Sequence, residues 1–167
     1  MQHGKRPLSV RERLRLTKRR MAQVATAELA THSAYLRLSQ LDDSEAPAGL
    51  AALSRTAQEE DMDHYRLMRA GLIRLRGVPV HPSHRFELEP WIQHRSLDEL
   101  LRFVHSAEAA LIRWYREICA LTIELDYQIF DLAFRNLQEN AHHQAGIANL
   151  LETPRSAQSH HPVRGSH

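Results

Sequence analysis

Six residues combine types and spacings that suit a metal ion. Glu28 stands one turn after Val24 and two turns before Tyr35. Asp61 and His64 are three apart, between Ala57 and Met68. Glu108 lies between Val104 and Leu111, and Asn140 and His143 repeat the three-residue spacing just before Ile147. On a helix that spacing puts both side chains on one face. Each of the six falls on a stripe that is otherwise apolar. Taken singly, any one reads best as half of a buried salt bridge or as the wet edge of a stripe. Four segments each offering such a residue read as one site, because a buried carboxylate must be paired or bind a metal. Carboxylate and imidazole donors suit iron, and the single Cys119 excludes a Cys-rich zinc site and an internal disulfide framework.

The elements that must position these residues are helices. The chain has 167 residues, the length of one domain, with 43% apolar and 25% charged residues, so a packed core is expected. Six Gly, seven Pro and 6% aromatics leave few breakers and favour helix over strand. Ser9 with Glu12 is a capping-box pattern opening a first helix that runs to about Leu41. Its inward stripe is Val24, Ala27, Thr31, Tyr35 and Leu38. Asp42-Asp43-Ser44 makes a short break, and Pro47 fits the first turn of a second helix. That helix carries Leu50, Leu53, Ala57, His64, Met68, Leu72 and Leu75 inward and ends at Gly77-Val78-Pro79. Residues 77–95 form a crossover with no sustained period. Ser96 with Glu99 opens a third helix with Leu101, Val104, Leu111, Tyr115 and Ile118 inward. A tight turn near Glu124 to Asp126 leads to a fourth, with Phe130, Ala133, Leu137, Ala141, Ile147 and Leu151, which Pro154 stops. No internal repeat is evident. Residues 1–153 thus read as one domain with a basic N-terminal extension, and 154–167 as a flexible tail.

Short turns make antiparallel neighbours, and one long crossover makes helices two and three parallel. The fold class is all-α, a four-helix bundle with ferritin-like connectivity. In that connectivity one carboxylate from each of two helices, plus a carboxylate-x-x-His pair from each of the others, describes a dinuclear iron site. Helix four offers two registers. Glu139-x-x-His142 shares a face with Arg135 and Gly146, whereas Asn140-x-x-His143 shares the face of Leu137 and Ile147, and the period favours the second.

Ala25-Thr26-Ala27-Glu28-Leu29 with Tyr35, and Asp61-Met62-Asp63-His64 leading to Gly77-Val78-Pro79, resemble the first two helices of bacterioferritin. The 33-residue separation of Glu28 and Asp61 is that family's, and Asp126-Tyr127 through Leu151 resembles its fourth helix. The resemblance covers roughly residues 15–152. It implies that Glu28 and Glu108 are terminal iron carboxylates, that His64 and His143 are ligands, and that Tyr35 stands beside the site. Two positions depart, both of them bridging carboxylates in the family: Asp61 is a methylene short, and Asn140 is neutral. The resemblance also implies haem b. Met62 sits at the position of the family's haem ligand, contributed once by each subunit of a two-fold dimer. Leu29 and Leu36 on the outward flank of helix one would line that pocket, Arg55 and Arg66 would pair with propionates, and His32 is a competing ligand.

These readings imply an iron-storage subunit with a haem at a dimer interface and a degenerate ferroxidase centre. It would be a homo-oligomer, at least a dimer, or would co-assemble with a ferroxidase-competent ferritin subunit. An active ferroxidase is the alternative within the same chemistry. A non-enzymatic bundle is the alternative outside it. Of the first 20 residues, eight are basic and only Glu12 is acidic, which gives +7 within a chain total of +2. No aromatic interleaves these cations, so nucleic acid is not the expected partner. No apolar run approaches the length of a membrane span and no secretory signal is visible, so a cytoplasmic protein is expected.

Overall fold

The computed structural model describes residues 7–41, 46–81 and 90–152. Four long helices carry it: α1 (Val10–Leu38), α2 (Leu50–Arg74), α3 (Leu97–Thr122) and α4 (Tyr127–Glu152). Both predicted capping boxes form. The Ser9 and Ser96 hydroxyls accept from the backbone N–H of Glu12 and Glu99, and those carboxylates accept from the two serine N–H groups at 2.8 and 2.9 Å. Helix α2 starts later than expected. Pro47 lies before it, and Gly49 is the N-cap at φ 85°, a left-handed conformation that glycine adopts without a Cβ clash. At its other end Gly77 N–H donates to the Leu72 carbonyl and Arg76 N–H to that of Ile73. This is a Schellman closure, in which Arg76 rather than glycine takes the left-handed position at φ 53°. Asp126 opens α4, its side chain accepting from Ile129 N–H at 3.1 Å. The break at Asp42-Asp43-Ser44, the stop at Pro154, the tail, residues 1–6 of the basic start and the middle of the crossover lie outside the described residues.

Cross-helix contacts set the directions. Met21 packs against Gly71 and His32 bonds to Gln58, so α1 and α2 run antiparallel. Arg13 reaches Leu121, and Tyr35 reaches Glu108, so α1 and α3 also run antiparallel. Leu53 meets Gly146 and Arg74 meets Asp126, which makes α2 and α4 antiparallel. Helices α2 and α3 are therefore parallel, and the crossover must climb the bundle, roughly 40 Å for a helix of this length. Both of its ends are tied down. The Tyr65 hydroxyl donates to the Val80 carbonyl at 2.9 Å, Ile92 is buried, and Trp91 packs on Phe103 under the Arg95 guanidinium.

The apolar interior is in two parts. One gathers Met21, Val24, Leu29, Met68, Leu111, Tyr115 and Ile118, and the other Ala34, Leu38, Leu50, Ala57, Leu101, Val104 and Ile147. Between them lies a layer of buried polar residues: Glu28, Thr31, Asp61, His64, Glu108, Asn140 and His143. The stripe of α4 differs from the expected one. Ala141 is exposed, and the buried positions are Ile129, Ala133, Asn136, Asn140, His143 and Ile147, alternating steps of four and three.

Ser96→Ala removes one accepted N–H bond at the start of α3 and undoes its capping box. It should cost about 1 kcal/mol of unfolding free energy, read as a shift in urea midpoint at unchanged slope. An unchanged midpoint would show that docking of the crossover, not the cap, sets that helix end.

Candidate metal centre

The polar layer is a site built by all four helices. Glu28 (α1), Asp61 and His64 (α2) bring one ligand atom each within 4.8 Å of one another, and so do Asp61, Glu108 (α3) and His143 (α4). Asp61 belongs to both groups. All five residues are buried, Asp61 completely. The decisive feature is what they leave unpaired. Glu28 Oε2, both Asp61 oxygens, Glu108 Oε2, Asn140 Oδ1 and both histidine Nδ1 atoms are buried without a hydrogen-bond partner. Buried polar atoms are nearly always satisfied. Seven orphans converging on one place, all of them oxygen or imidazole nitrogen, fit cations held between the helices.

The remaining atoms of these residues are fully engaged. Tyr35 donates to Glu108 Oε1 at 3.0 Å and Tyr115 donates to Glu28 Oε1 at 2.6 Å. His64 Nε2 is 2.5 Å from Glu139, and His143 Nε2 is 2.6 Å from Glu60. The Asn140 amide donates to Glu28 Oε1 at 3.2 Å and to the Asn136 carbonyl at 3.0 Å, and Asn136 donates to the Tyr115 hydroxyl. The register of helix four is thereby visible. Asn140 and His143 point inward, His142 is exposed, and Glu139 meets the site only through His64. Tyr115, Asn136 and Glu60 do not stand out in the sequence as parts of one site with Glu28 and Glu108, and Glu139, the alternative ligand with His142, meets His64 instead. The available signal was a seven-residue step, Glu28 to Tyr35 and Glu108 to Tyr115.

Burial lifts the Asp61 carboxyl well above the usual carboxylate range, and Glu28 and Glu108 push it the same way. Burial also raises Glu108, against the opposing pull of His143. For His64 burial disfavours the charged ring, but Glu28 and Glu139 outweigh it and take the ring to about 9. His143 moves up in the same way, burial being outweighed by Glu108 and Glu60. Burial first, then Glu108 and Asp61, raises the Tyr35 hydroxyl, and burial with Glu28 raises that of Tyr115, so both remain donors.

A family model for the ferritin-like domain matches residues 20–157. The chain belongs to the ferritin-like family. Among solved structures it is similar to a dodecameric thioferritin, the bacterioferritin-related protein of Bacteroides fragilis. The two are 25% identical over 86% of each chain, with a TM-score of 0.69. No curated protein matches it. The four-helix bundle is that of a ferritin-like chain. No helix among the described residues is long and apolar enough to cross a membrane.

Outside the centre, Met62 lies half-buried on the outer side of α1 and α2. Together with His32, Leu36, Gln58, Glu59, Asp63 and Arg66 it lines an open groove of about 450 Å³. Two residues expected there are elsewhere. Leu29 is 1% exposed and belongs to the core, because α1 packs against both α2 and α3 and buries a wider arc than one stripe. Arg55 is exposed and does not line the groove. His32 Nδ1 lies 2.7 Å from the Gln58 carbonyl.

A histidine whose pKa is raised on folding stabilises fully below its unfolded value, 6.5, and loses that contribution as pH rises through about 9. The raised Asp61 carboxyl acts in the same sense. Metal binding needs these groups deprotonated, so it strengthens over the same window. Chelator-treated protein should melt at a lower Tm at pH 9 than at pH 6.5, and added Co2+ should raise Tm more at pH 9. A flat Tm across that range would contradict these directions.

Proposed function

We propose that this ferritin-like chain is an iron-handling subunit of the bacterioferritin kind, in which ferrous iron is the cargo and the buried layer is a weakened two-iron centre. The observation that carries the reading is Asp61. One buried carboxylate with two unpartnered oxygens is shared by two ligand groups, and Asn140, bonded to Glu28, has an unpartnered carbonyl. Glu28 and His64 would hold one iron, Glu108 and His143 the other, with Asp61 between them. Two ferrous ions bring four positive charges against three carboxylates. Loss of one electron from each iron, to dioxygen or peroxide, adds two more positive charges that a neutral amide does not offset. Asn140 therefore disfavours the ferric state relative to the ferrous one, and oxidation is slow. Glu28 and Glu108 stay hydrogen-bonded to tyrosines that keep their protons, which orients the carboxylates without withdrawing their second oxygens.

Such a subunit acts in iron storage, either as a homo-oligomer or beside a ferroxidase-competent ferritin subunit, in the cytoplasm. The relative's dodecameric assembly supports an oligomer. A haem b role rests on Met62, whose thioether lines an open groove beside Leu36 and Arg66. Thioether ligation is a known haem mode, and Arg66 suits a propionate. A two-fold dimer over this groove would bring two Met62 sulfurs to one iron.

Asn140→Glu combined with Asp61→Glu should raise aerobic ferrous oxidation by roughly 10-fold, about 1.4 kcal/mol of barrier, followed by ferric absorbance in a stopped-flow instrument. The same change should lower the Tm of the metal-free protein, since it buries another carboxylate. Fast oxidation of two irons per chain by the unaltered protein would refute the weakened centre.

Met62→Leu should preserve the fold and the dimer, since such swaps usually cost under ~1.5 kcal/mol. It should remove the Soret band formed when haem is added to the wild type. If the wild type takes up no haem, or the variant binds it unchanged, the haem role is wrong. Light scattering should show at least a dimer in both.

A further inference from the structure

Away from the metal centre, the start of α1 and the end of α2 enclose a groove of about 830 Å³. Its sides carry five cations: Arg11, Arg15, Lys18 and Arg19 from α1, and Arg76 just past α2. Arg11, Arg15 and Arg19 follow at four-residue steps and form one row along α1. Five positive charges in one groove exceed the net charge of the whole chain, +2. On the α3 side of α1, Arg13 and Arg20 pair with Glu124 and Glu117. On the groove side, none of the five is in an ion pair among the described residues. Glu12, the only acid in the first 20 residues, is committed to the Ser9 cap. Between the cations the groove is apolar, lined by Val10, Leu14, Ala22, Leu72 and Val78. Val10 and Val78 are 58% and 85% exposed. Two backbone positions shape this end. A Cβ at Gly77 would lie 3.3 Å from Lys18 Cδ and 3.1 Å from Leu72, so the missing side chain leaves room for the lysine stem. Arg76 holds the left-handed φ of 53°, which glycine would adopt without strain, and presents a cation to the groove.

We propose that this groove docks a short acidic amphipathic helix of a partner protein. Its apolar stripe would lie on Val10, Leu14 and Val78, and its carboxylates against the arginine row and Arg76. From Val10 to Ala22 the wall is about 18 Å long, three turns of helix. Recognition of this kind reads apolar anchors at i, i+3, i+4 and i+7. The apolar floor gives the contact its lifetime, and the unpaired cations give it approach rate and choice of partner. A nucleic acid would use the cations and leave the floor idle, and no aromatic lines the groove for a base to stack on. The proposal does not depend on what the buried layer binds.

The probe is a fluorescent synthetic peptide of about 14 residues, long enough to span the wall as a helix. It carries one leucine stripe at i, i+3, i+4 and i+7 with glutamates on both flanks, and is titrated with the full-length protein by anisotropy. The wild type should bind it, more weakly as salt is raised. Arg15→Glu combined with Arg19→Glu, and separately Val78→Asp, should weaken binding about 10-fold or more. All three positions are exposed, and circular dichroism checks that the helices persist. Arg113→Glu with Arg116→Glu makes the same charge change on exposed positions of α3 and should leave Kd within about 2-fold. Arg76→Gly should raise Tm by relieving the left-handed arginine and still weaken the peptide, a combination that damage to the fold does not produce. A wild type that ignores the peptide would overturn the proposal. So would equal binding of a scrambled peptide of the same composition, or equal loss in the α3 control, since either reduces the groove to charge attraction. A duplex oligonucleotide that binds more tightly than the peptide and is lost in the groove variants would assign the site to nucleic acid instead. Groove variants that break the oligomer in light scattering, with no peptide bound by the wild type, would assign it to a contact between copies.

Discussion

Three carboxylates and two imidazoles share the dry middle of the bundle, and the surrounding architecture answers to their cost. A buried carboxylate without a counter-charge destabilises the fold, and three together repel one another as well. The protein meets that cost with donors from every helix. Two tyrosines and one amide donate to Glu28 and Glu108, the two histidine rings stand 3.3 and 3.4 Å from the same two acids, and two outer glutamates hold the histidines in turn. What the donors leave over is concentrated here too, since seven of the nine buried unpaired side-chain atoms among the described residues belong to this layer. The two apolar clusters above and below the layer keep water away and fix the helices that carry the ligands.

The arrangement is close to two-fold symmetric, and the sequence steps account for it. Glu28 and Tyr35 on α1 match Glu108 and Tyr115 on α3, each glutamate bonded to the other helix's tyrosine. Each tyrosine also sits edge-on to a histidine, Tyr35 to His143 and Tyr115 to His64, at centroid distances of 5.9 and 6.3 Å. A seven-residue step is two helical turns, so glutamate and tyrosine share a face about 10 Å apart along the axis. Antiparallel packing of α1 against α3 then lays each tyrosine beside the opposite glutamate. The symmetry is broken on α4, where Asn140 stands in place of a second aspartate and Asn136 donates to the Tyr115 hydroxyl.

Much of this was legible in the residues because ionisable groups on an apolar stripe stand out against a regular period. The four helices, both capping boxes and the burial of six polar residues could be read in that way. The rest depends on contacts between elements. Leu29 looks outward when α1 is assigned a single stripe, and only packing against two neighbours buries it. Ala141 looks inward because alanine carries little signal for either side. Glu60 and Glu139 sit on the polar flank, where a glutamate is ordinary, and only the crossing of α2 and α4 gives them partners. Pro47 was placed in the first turn of α2, but Gly49 and its left-handed backbone set the start three residues later.

Asn140 shows what such a centre would trade. A carboxylate at 140 would sit beside Glu28, Asp61 and Glu108 with few donors left, since Tyr35 and Tyr115 are already committed. The metal-free bundle would then have to bury a fourth acid, at a cost of several kcal/mol per uncompensated ion. Asn140 removes that cost and converts the position into a donor. Its amide donates to Glu28 Oε1 and ties α4 to α1 in the absence of any cation. The same substitution removes a quarter of the negative charge that a four-carboxylate site would offer to two ferrous ions. Stability without metal and stabilisation of the oxidised pair thus pull in opposite directions at one side chain. On the proposed reading, a subunit that gains the first by losing part of the second suits an assembly in which oxidation is carried out elsewhere.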